Sequence, residues 1–290
     1  MKEKIALDNE KRKSLVFKLT LFVGLSIIFF NALQIIVTGK ITKKSQLEDS
    51  ANDYKVVTQA YSQVISEKIN SYFYAMNFYV NSDMALEGTF DQMRQWLVSQ
   101  EDQRISEFDY IMLSGPDGIA YTDTGKRIDI SDRPYFKAIM QDGKTRFIDD
   151  PVVSRTTGQS VIHVTRAIVR NGKNIGLISG VMQSKHLGEI ISNIKIGNTG
   201  YAFVLADDGT VISHPNRDWI NKRNFLTGYS EGHEDMGELA KKMVSRETGY
   251  AWLKGIYDEL EFISFTPIEG TLWSMAVSIQ QKEIYSTISS

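Results

Sequence analysis

Apolar and polar positions fall into three regimes along the chain. Leu15 to Val37, LVFKLTLFVGLSIIFFNALQIIV, is almost continuously apolar. It is long enough to cross a bilayer, which takes ~20 helical residues. Lys18 lies near its start, where a long cationic side chain reaches the interface. Lys2, Lys4, Lys11, Arg12 and Lys13 precede the span, and Lys40, Lys43 and Lys44 follow it. The heavier basic load before it places the N-terminus inside. A cleaved leader would have a shorter apolar core and a small-x-small site, and VTGKITKKS is a poor one. Residues 1–14 are thus expected to be a cytoplasmic tail and 15–37 a transmembrane helix in the inner or plasma membrane. The rest then lies outside the cytoplasm.

The second regime is helical. Leu47, Ala51, Tyr54, Thr58, Tyr61, Ile65, Lys68, Tyr72, Met76 and Tyr79 step by threes and fours, and all but Thr58 and Lys68 are apolar or aromatic. No proline or glycine interrupts them. This predicts a stalk helix over 38–82 with one heptad-like seam. The seam serves packing on the chain's own domain, on a second copy, or on both along different turns. A parallel homodimer through the stalk is the expected assembly in the membrane.

The third regime has short alternating runs between turn signals. Phe90 to Ile105 predicts a helix with Met93, Trp96 and Leu97 on one side. Asp109–Leu113 and Ile119–Tyr121 predict strands around Pro116-Asp117-Gly118, and Tyr135–Met140 a short helix. Ser160–Val169 and Asn174–Met182 predict a hairpin across Asn171-Gly172. The layout then returns: Tyr201–Leu205, the Asp208-Gly209 turn, Thr210–Ile212, a helix over Gly237–Val244, strands Gly249–Ile256 and Glu261–Thr266 across Asp258-Glu259, and a last strand Leu272–Ile279. The Asp-Gly turns stand 91 residues apart, and two copies of one unit are the economical reading. The fold class is α+β: a long N-terminal helix, antiparallel units over 83–192 and 193–280, and an exit segment, 281–290, headed for a second membrane span.

Composition removes several function classes. The formal net charge is -2 across 290 residues, with no basic face for nucleic acid. There is no cysteine, hence no disulfide and no thiolate metal site. His163, His186, His214 and His233 have no metal-ligand spacing, and His214 and His233 are merely the nearest pair. His214-Pro215 reads as a strand-end turn. No nucleophile elbow or phosphate loop occurs. Asp149-Asp150 and Asp207-Asp208 fall in predicted turns and read as solvated pairs. No catalytic residue, metal or cofactor is expected, and an enzyme is not.

Asp132-Arg133-Pro134-Tyr135-Phe136 is the cluster with binding chemistry. A guanidinium grips a carboxylate with two parallel hydrogen bonds, and the following helix start also favours an anion. Neighbouring aromatics can wall an apolar group. The competing reading pairs Asp132 with Arg133 and puts Tyr135 and Phe136 in the core.

DISDRPYFKAI (129–139), PVVSRTTGQSVIHVTRAI (151–168), GLISGVMQSKHL (176–187) and GNTGYAFVLADDGTVISHPN (197–216) resemble the double-Cache sensor family, with its two PAS-like units on one long helix. The resemblance covers about residues 40 to 280. It implies the input module of a chemoreceptor of the methyl-accepting type or, alternatively, of a histidine kinase or diguanylate cyclase. It also implies a small polar metabolite, such as a carboxylate, in the first, membrane-distal unit. A ligand-free interaction ectodomain and a hydrolase are the readings from other classes. Arg133, Tyr135 and Asp132 are the site candidates, completed by Tyr110, Tyr121 and Ser154. Amino-acid-binding members carry Arg-x-Trp-Tyr, a tyrosine five residues earlier and a later aspartate. Here Arg133 matches, Tyr135-Phe136 replaces Trp-Tyr, Ile128 stands at the earlier tyrosine, and Val181 falls near the aspartate. An ammonium without that carboxylate would be costly to bury, which argues against a standard α-amino acid and for a small carboxylate or another compact polar metabolite.

Overall fold

The computed structural model describes residues 2–227, 234–255 and 259–288. The chain divides into two compact units, Met1–Asn52 and Asp53–Ser290. Helix α1, Lys2–Val80, runs through the boundary. In the first unit, Thr20–Thr42 is long and apolar enough to cross a membrane, with mean hydropathy 2.2. That window begins beyond Lys18, later than the 15–37 read from the sequence. Phe22, Ile28, Phe29 and Phe30 are all exposed there, a helix apolar on every side, as lipid requires.

In the second unit, α1 ends at Val80 and two short helices follow, α2 (Asp83–Glu87) and α3 (Phe90–Ser99). Thr89 and Gln92 form a reciprocal capping box that starts α3. The helix stops at Ser99 rather than Ile105, because Glu101–Gln103 tightens into a 3₁₀ turn. Strands β1 (Tyr110–Ser114), β2 (Ile119–Thr122) and β3 (Arg127–Asp129) come next. Helix α4 (Pro134–Met140) opens with proline in its first turn, where a missing N–H costs nothing. Then come β4 (Arg146–Ile148), β5 (Val152–Val153), and the long hairpin β6 (Ser160–Arg170) and β7 (Lys173–Gln183). Asn171 and Gly172 both take positive φ, 49° and 73°, as a twist-matched two-residue turn demands. The strands form one sheet in the order β3-β2-β1-β7-β6-β4, with β5 also on β6.

Helix α5 (Ser184–Ser192) leads to the second sheet, and it touches strands of both. The later elements are β8 (Tyr201–Leu205), β9 (Val211–Ser213), α6 (Glu234–Val244), β10 (Gly249–Lys254), β11 (Leu260–Pro267), β12 (Ser274–Gln280) and α7 (Gln281–Ile288). The order is β10-β11-β12-β8-β9. His233, Asp258 and part of the strand expected to reach Ile256 lie outside the described residues.

Each sheet has one face on α1. In the first, Ile111, Gly180 and Val164 sit in one row, and the Phe108 ring lies over Gly180, where a Cβ would come within 2.6 Å. Tyr72 of α1 meets Phe108 at 5.8 Å between centroids. Arg146 donates to Asn70 and Arg166 to Asn77. In the second, Tyr54 meets Phe262, while Ser62 and Ser66 donate to the carbonyls of Pro267 and Glu269. The seam read from the sequence is therefore spent within the chain from Tyr54 onward: Ile65, Tyr72, Met76 and Tyr79 are all buried. The Leu47 side chain lies outside the described residues. Val56, Val64, Tyr74 and Phe78 form the stripe left exposed.

Candidate functional site

The free face of the first sheet meets α4. Tyr110, Met112, Ala120, Val161, Leu177 and Val181 form one core with Tyr135, Phe136 and Ile139 from the helix. Alternation along the strands puts His163 and Thr165 of β6, and Ser179 of β7, on this same face. Thr165 and Ser179 bond each other at 2.9 Å. The polar groups between sheet and helix are therefore placed by strand period and register.

Their centre is Tyr135. It is 1% exposed, and its ring stacks on His163 at 4.3 Å and 25°. Burial raises the Tyr135 phenol, Asp149 and Tyr110 raise it further, and Arg133 and Arg155 oppose them. Those four side chains are thus the electrostatic neighbourhood of one hydroxyl. Among the described residues that hydroxyl has no hydrogen bond, and it is not sealed from solvent. His163 Nδ1 donates to Asp149 Oδ2 at 2.8 Å, and Asp149 Oδ1 accepts from the His163 amide at 2.6 Å. Both side chains are buried. Asp149 is therefore not the solvated turn residue expected: β4 pairs with β6 and carries it inward beside His163.

Arg133 precedes the first helical residue of α4 and donates to the Val153 carbonyl at 3.2 Å, tying the helix start to β5. That is one of five N–H donors. Tyr110 Oη lies 3.3 Å from Ser154 Oγ and donates to Thr156 Oγ1 at 3.3 Å. Ser154 Oγ accepts from the amides of Thr156 and Thr157, which fixes the turn after β5. The structure thus brings together Arg133, Tyr135, Tyr110 and Ser154.

Two candidates stand elsewhere. Asp132 is exposed and makes a two-pronged bond to Arg155, at 2.9 and 2.6 Å, which holds its carboxyl below the usual range. It does not pair with Arg133. Tyr121 pairs with Leu113 on the opposite face of the sheet, beside Phe90 and under the Arg94 guanidinium. Reading β2 by period two from Ala120 would have sent Tyr121 outward. The same period on β6 marks His163 and Thr165 as polar residues on a core face, a signal available in the sequence. Asp149 needs the β4–β6 pairing and Thr156 the turn, and neither leaves a local pattern.

The residue after Asp149 faces the second sheet. Trp273, 1% exposed, donates its indole N–H to Asp150 Oδ1 at 2.5 Å. Burial, with Asp207, Asp149 and Asp208 adding to it, raises Asp150 to about 6. One dipeptide thus touches the candidate site with its first carboxylate and the second sheet with its next. A separate surface cavity of ≈ 640 Å³ lies at the end of α1, lined in part by Asn77, Phe78, Asn81 and Trp96. It contains none of the converged polar groups.

Comparison with known proteins agrees with this architecture. The Cache domain family profile matches residues 42–288. The methyl-accepting chemotaxis protein McpC of Bacillus subtilis (strain 168) is 23% identical over 92% of this chain, which spans 43% of McpC's length. The ligand-binding domain of the Pseudomonas fluorescens chemoreceptor CtaA, solved with L-isoleucine, superposes with a TM-score of 0.67 at 17% identity, over 85% of this chain and 98% of that one. That of the Pseudomonas aeruginosa amino acid chemoreceptor PctB, solved with L-Arg, gives 0.65 at 17% identity, over 82% and 98%. At that identity the structural likeness establishes the fold. With the apolar helix at Thr20–Thr42, this is a membrane protein carrying an extracytoplasmic sensor domain. The chain belongs to the Cache domain family, in its double form.

Proposed function

We propose that this chain is the sensing half of a chemotaxis receptor of the methyl-accepting type, set in the inner or plasma membrane, with a small polar carboxylate as its ligand. The ligand sits in the first sheet unit, which is the membrane-distal one. The observation that carries this reading is that Tyr135, two residues after Arg133, packs with Tyr110 and stacks on the His163 ring held by Asp149, while its own hydroxyl has no hydrogen bond among the described residues. Buried polar groups without partners are costly, and a ligand that pairs them recovers that cost. Arg133 supplies the carboxylate grip with its unused donors. The relatives' signalling role supports the receptor reading.

Signalling follows from unequal binding to two arrangements. A ligand between the sheet and α4 draws the segment from Ile128 to Arg155 onto itself. That segment includes Asp150, whose bond to Trp273 reaches the second sheet, while both sheets rest on α1. A homodimer in the membrane would use the exposed stripe of Val56, Val64, Tyr74 and Phe78, because the seam is occupied.

A thermal-shift screen of the detergent-solubilised full chain against small organic acids tests the pocket. A ligand at ~100 times its dissociation constant adds about 2.7 kcal/mol of stability. Arg133→Ala should abolish the shift and leave the unliganded melting temperature almost unchanged. A large loss of unliganded stability would make Arg133 a structural tie through Val153 instead.

A further inference from the structure

We infer that His163, aimed by Asp149, is the residue that reads the ligand's hydrogen-bond donor, so that the site selects a carboxylate carrying an adjacent amine or hydroxyl over a plain acid. This rests on the proposed ligand site and names the class it takes. The geometry is specific. Asp149 engages His163 twice, at the ring Nδ1 and at the backbone amide, so ring and strand are fixed together. A carboxylate on Nδ1 holds that nitrogen as the donor and leaves Nε2 with its lone pair outward in the neutral ring. Tyr135 stacks on the ring and removes its freedom to turn.

Nε2 itself has no hydrogen bond among the described residues. It is also not among the polar atoms sealed away without a partner, so an incoming atom reaches it. A nearly buried imidazole with one nitrogen committed and the other open presents a directed acceptor. The carboxylate behind it makes that acceptor favour a donor with positive character.

Register supplies the second argument. His163 lies directly opposite Val181 on neighbouring strands, on the face that meets α4. Paired residues in an antiparallel sheet stand ~4.5–5.5 Å apart. The absence of a carboxylate at Val181 therefore does not leave that part of the site without a partner for an ammonium or hydroxyl. The Asp149–His163 pair stands beside it, which removes the argument from Val181 against amine-bearing acids. Asp132 and Asp150 are committed to Arg155 and Trp273. Arg133, two residues before Tyr135, and His163, stacked on that tyrosine, then offer one contact for an anionic end and one for a donor.

Calorimetric titration of the detergent-solubilised full chain tests this with matched triplets. The probes are L-alanine, L-valine, L-leucine and L-aspartate, each beside its 2-hydroxy and its unsubstituted acid. Where a triplet binds, the donor-bearing member should bind about tenfold or more tighter than the unsubstituted acid, as one directed hydrogen bond in a buried site allows. The amino and hydroxy arms show which donor is preferred. His163→Leu should erase the discrimination, and His163→Gln, which keeps an acceptor, should restore part of it. Equal affinity across a binding triplet, or discrimination surviving in His163→Leu, would overturn the inference and leave the proposed site standing. No binding by any triplet member would count against both. Nitrogen-15 resonances of the unliganded imidazole give a check without ligand: Nδ1 should carry the proton in the wild type and lose that preference in Asp149→Asn. A proton resident on Nε2 in the wild type contradicts the assignment.

Discussion

The two sheet units repeat a layout but fill it differently, and their stacked histidines show how. His163 of the first stacks on Tyr135, has Asp149 on Nδ1 and keeps Nε2 open. His214 of the second stacks on Trp219 at 4.5 Å, and its Nδ1 accepts from the Asn216 amide at 2.9 Å. Burial lowers His214 to about 4, so this ring is a neutral piece of core. Around it Phe203, Phe225, Met236, Leu239, Met243 and Phe265 fill the space between sheet and α6. The corresponding space in the first unit holds Thr165, Ser179, His163 and Asp149 beside its apolar residues. One fold can thus be filled with apolar side chains in one copy and keep polar groups inside in the other.

The largest expected effect breaks the second unit. Phe203→Ala should cost about 3–5 kcal/mol by leaving a cavity, measured by denaturant unfolding of the solubilised chain. Ligand-induced stabilisation should persist in whatever folded fraction remains. Thr165→Val in the first sheet should cost less, about 1–3 kcal/mol, by leaving the buried Ser179 hydroxyl without its partner.

Acid separates the units next. The His214 pKa is depressed from 6.5 to about 4 in the folded state, so the unfolded chain binds the extra proton first. Its contribution is complete above pH 6.5 and is lost as pH falls towards 4, a fall of roughly 3 kcal/mol. Asp150 runs the other way, because its folded value is raised from 3.8 to about 6. Its contribution is present below pH 3.8 and is lost as pH rises through 6, by up to roughly 3 kcal/mol. The two contributions oppose each other across this range. Unfolding curves from pH 4 to 7 should therefore tilt in opposite directions for His214→Gln and Asp150→Asn. Parallel tilts would mean that the histidine of the second unit is not buried as described.

How much of this was legible follows from what is local. The β6–β7 hairpin was readable because Asn171-Gly172 sits between two apolar runs, and α4 was expected over Tyr135–Met140, one residue short of its Pro134 start. β3, β4 and β5 have three, three and two residues, too few for any period to register. α5 carries Gly188 and three serine or asparagine residues at its ends, which read as a loop. At the site, Arg133 and Tyr135 stood out because a short string held both. His163 and Asp149 are fourteen residues apart, and only the β4–β6 pairing joins them. The seam on α1 was seen correctly as a seam, but spacing alone does not name the surface that covers it.

The smallest effect concerns that helix. Cysteines at Val56, Val64 and Tyr74 should crosslink between copies in native membranes, whereas cysteines at Ile65 and Met76 should not, because those positions are buried in the chain itself. Crosslinks at the buried positions alone would place the dimer on a seam that had first to leave its sheets.

The most direct measurement of the contrast between the units is hydrogen–deuterium exchange on the full chain, with and without an acid that raises its melting temperature. Slowing should concentrate in residues 128–158 and in β6 and β7, with α6 and β9 unchanged. Slowing concentrated in β8, β9 and α6, with residues 128–158 unaffected, would contradict it and move the ligand to the second unit.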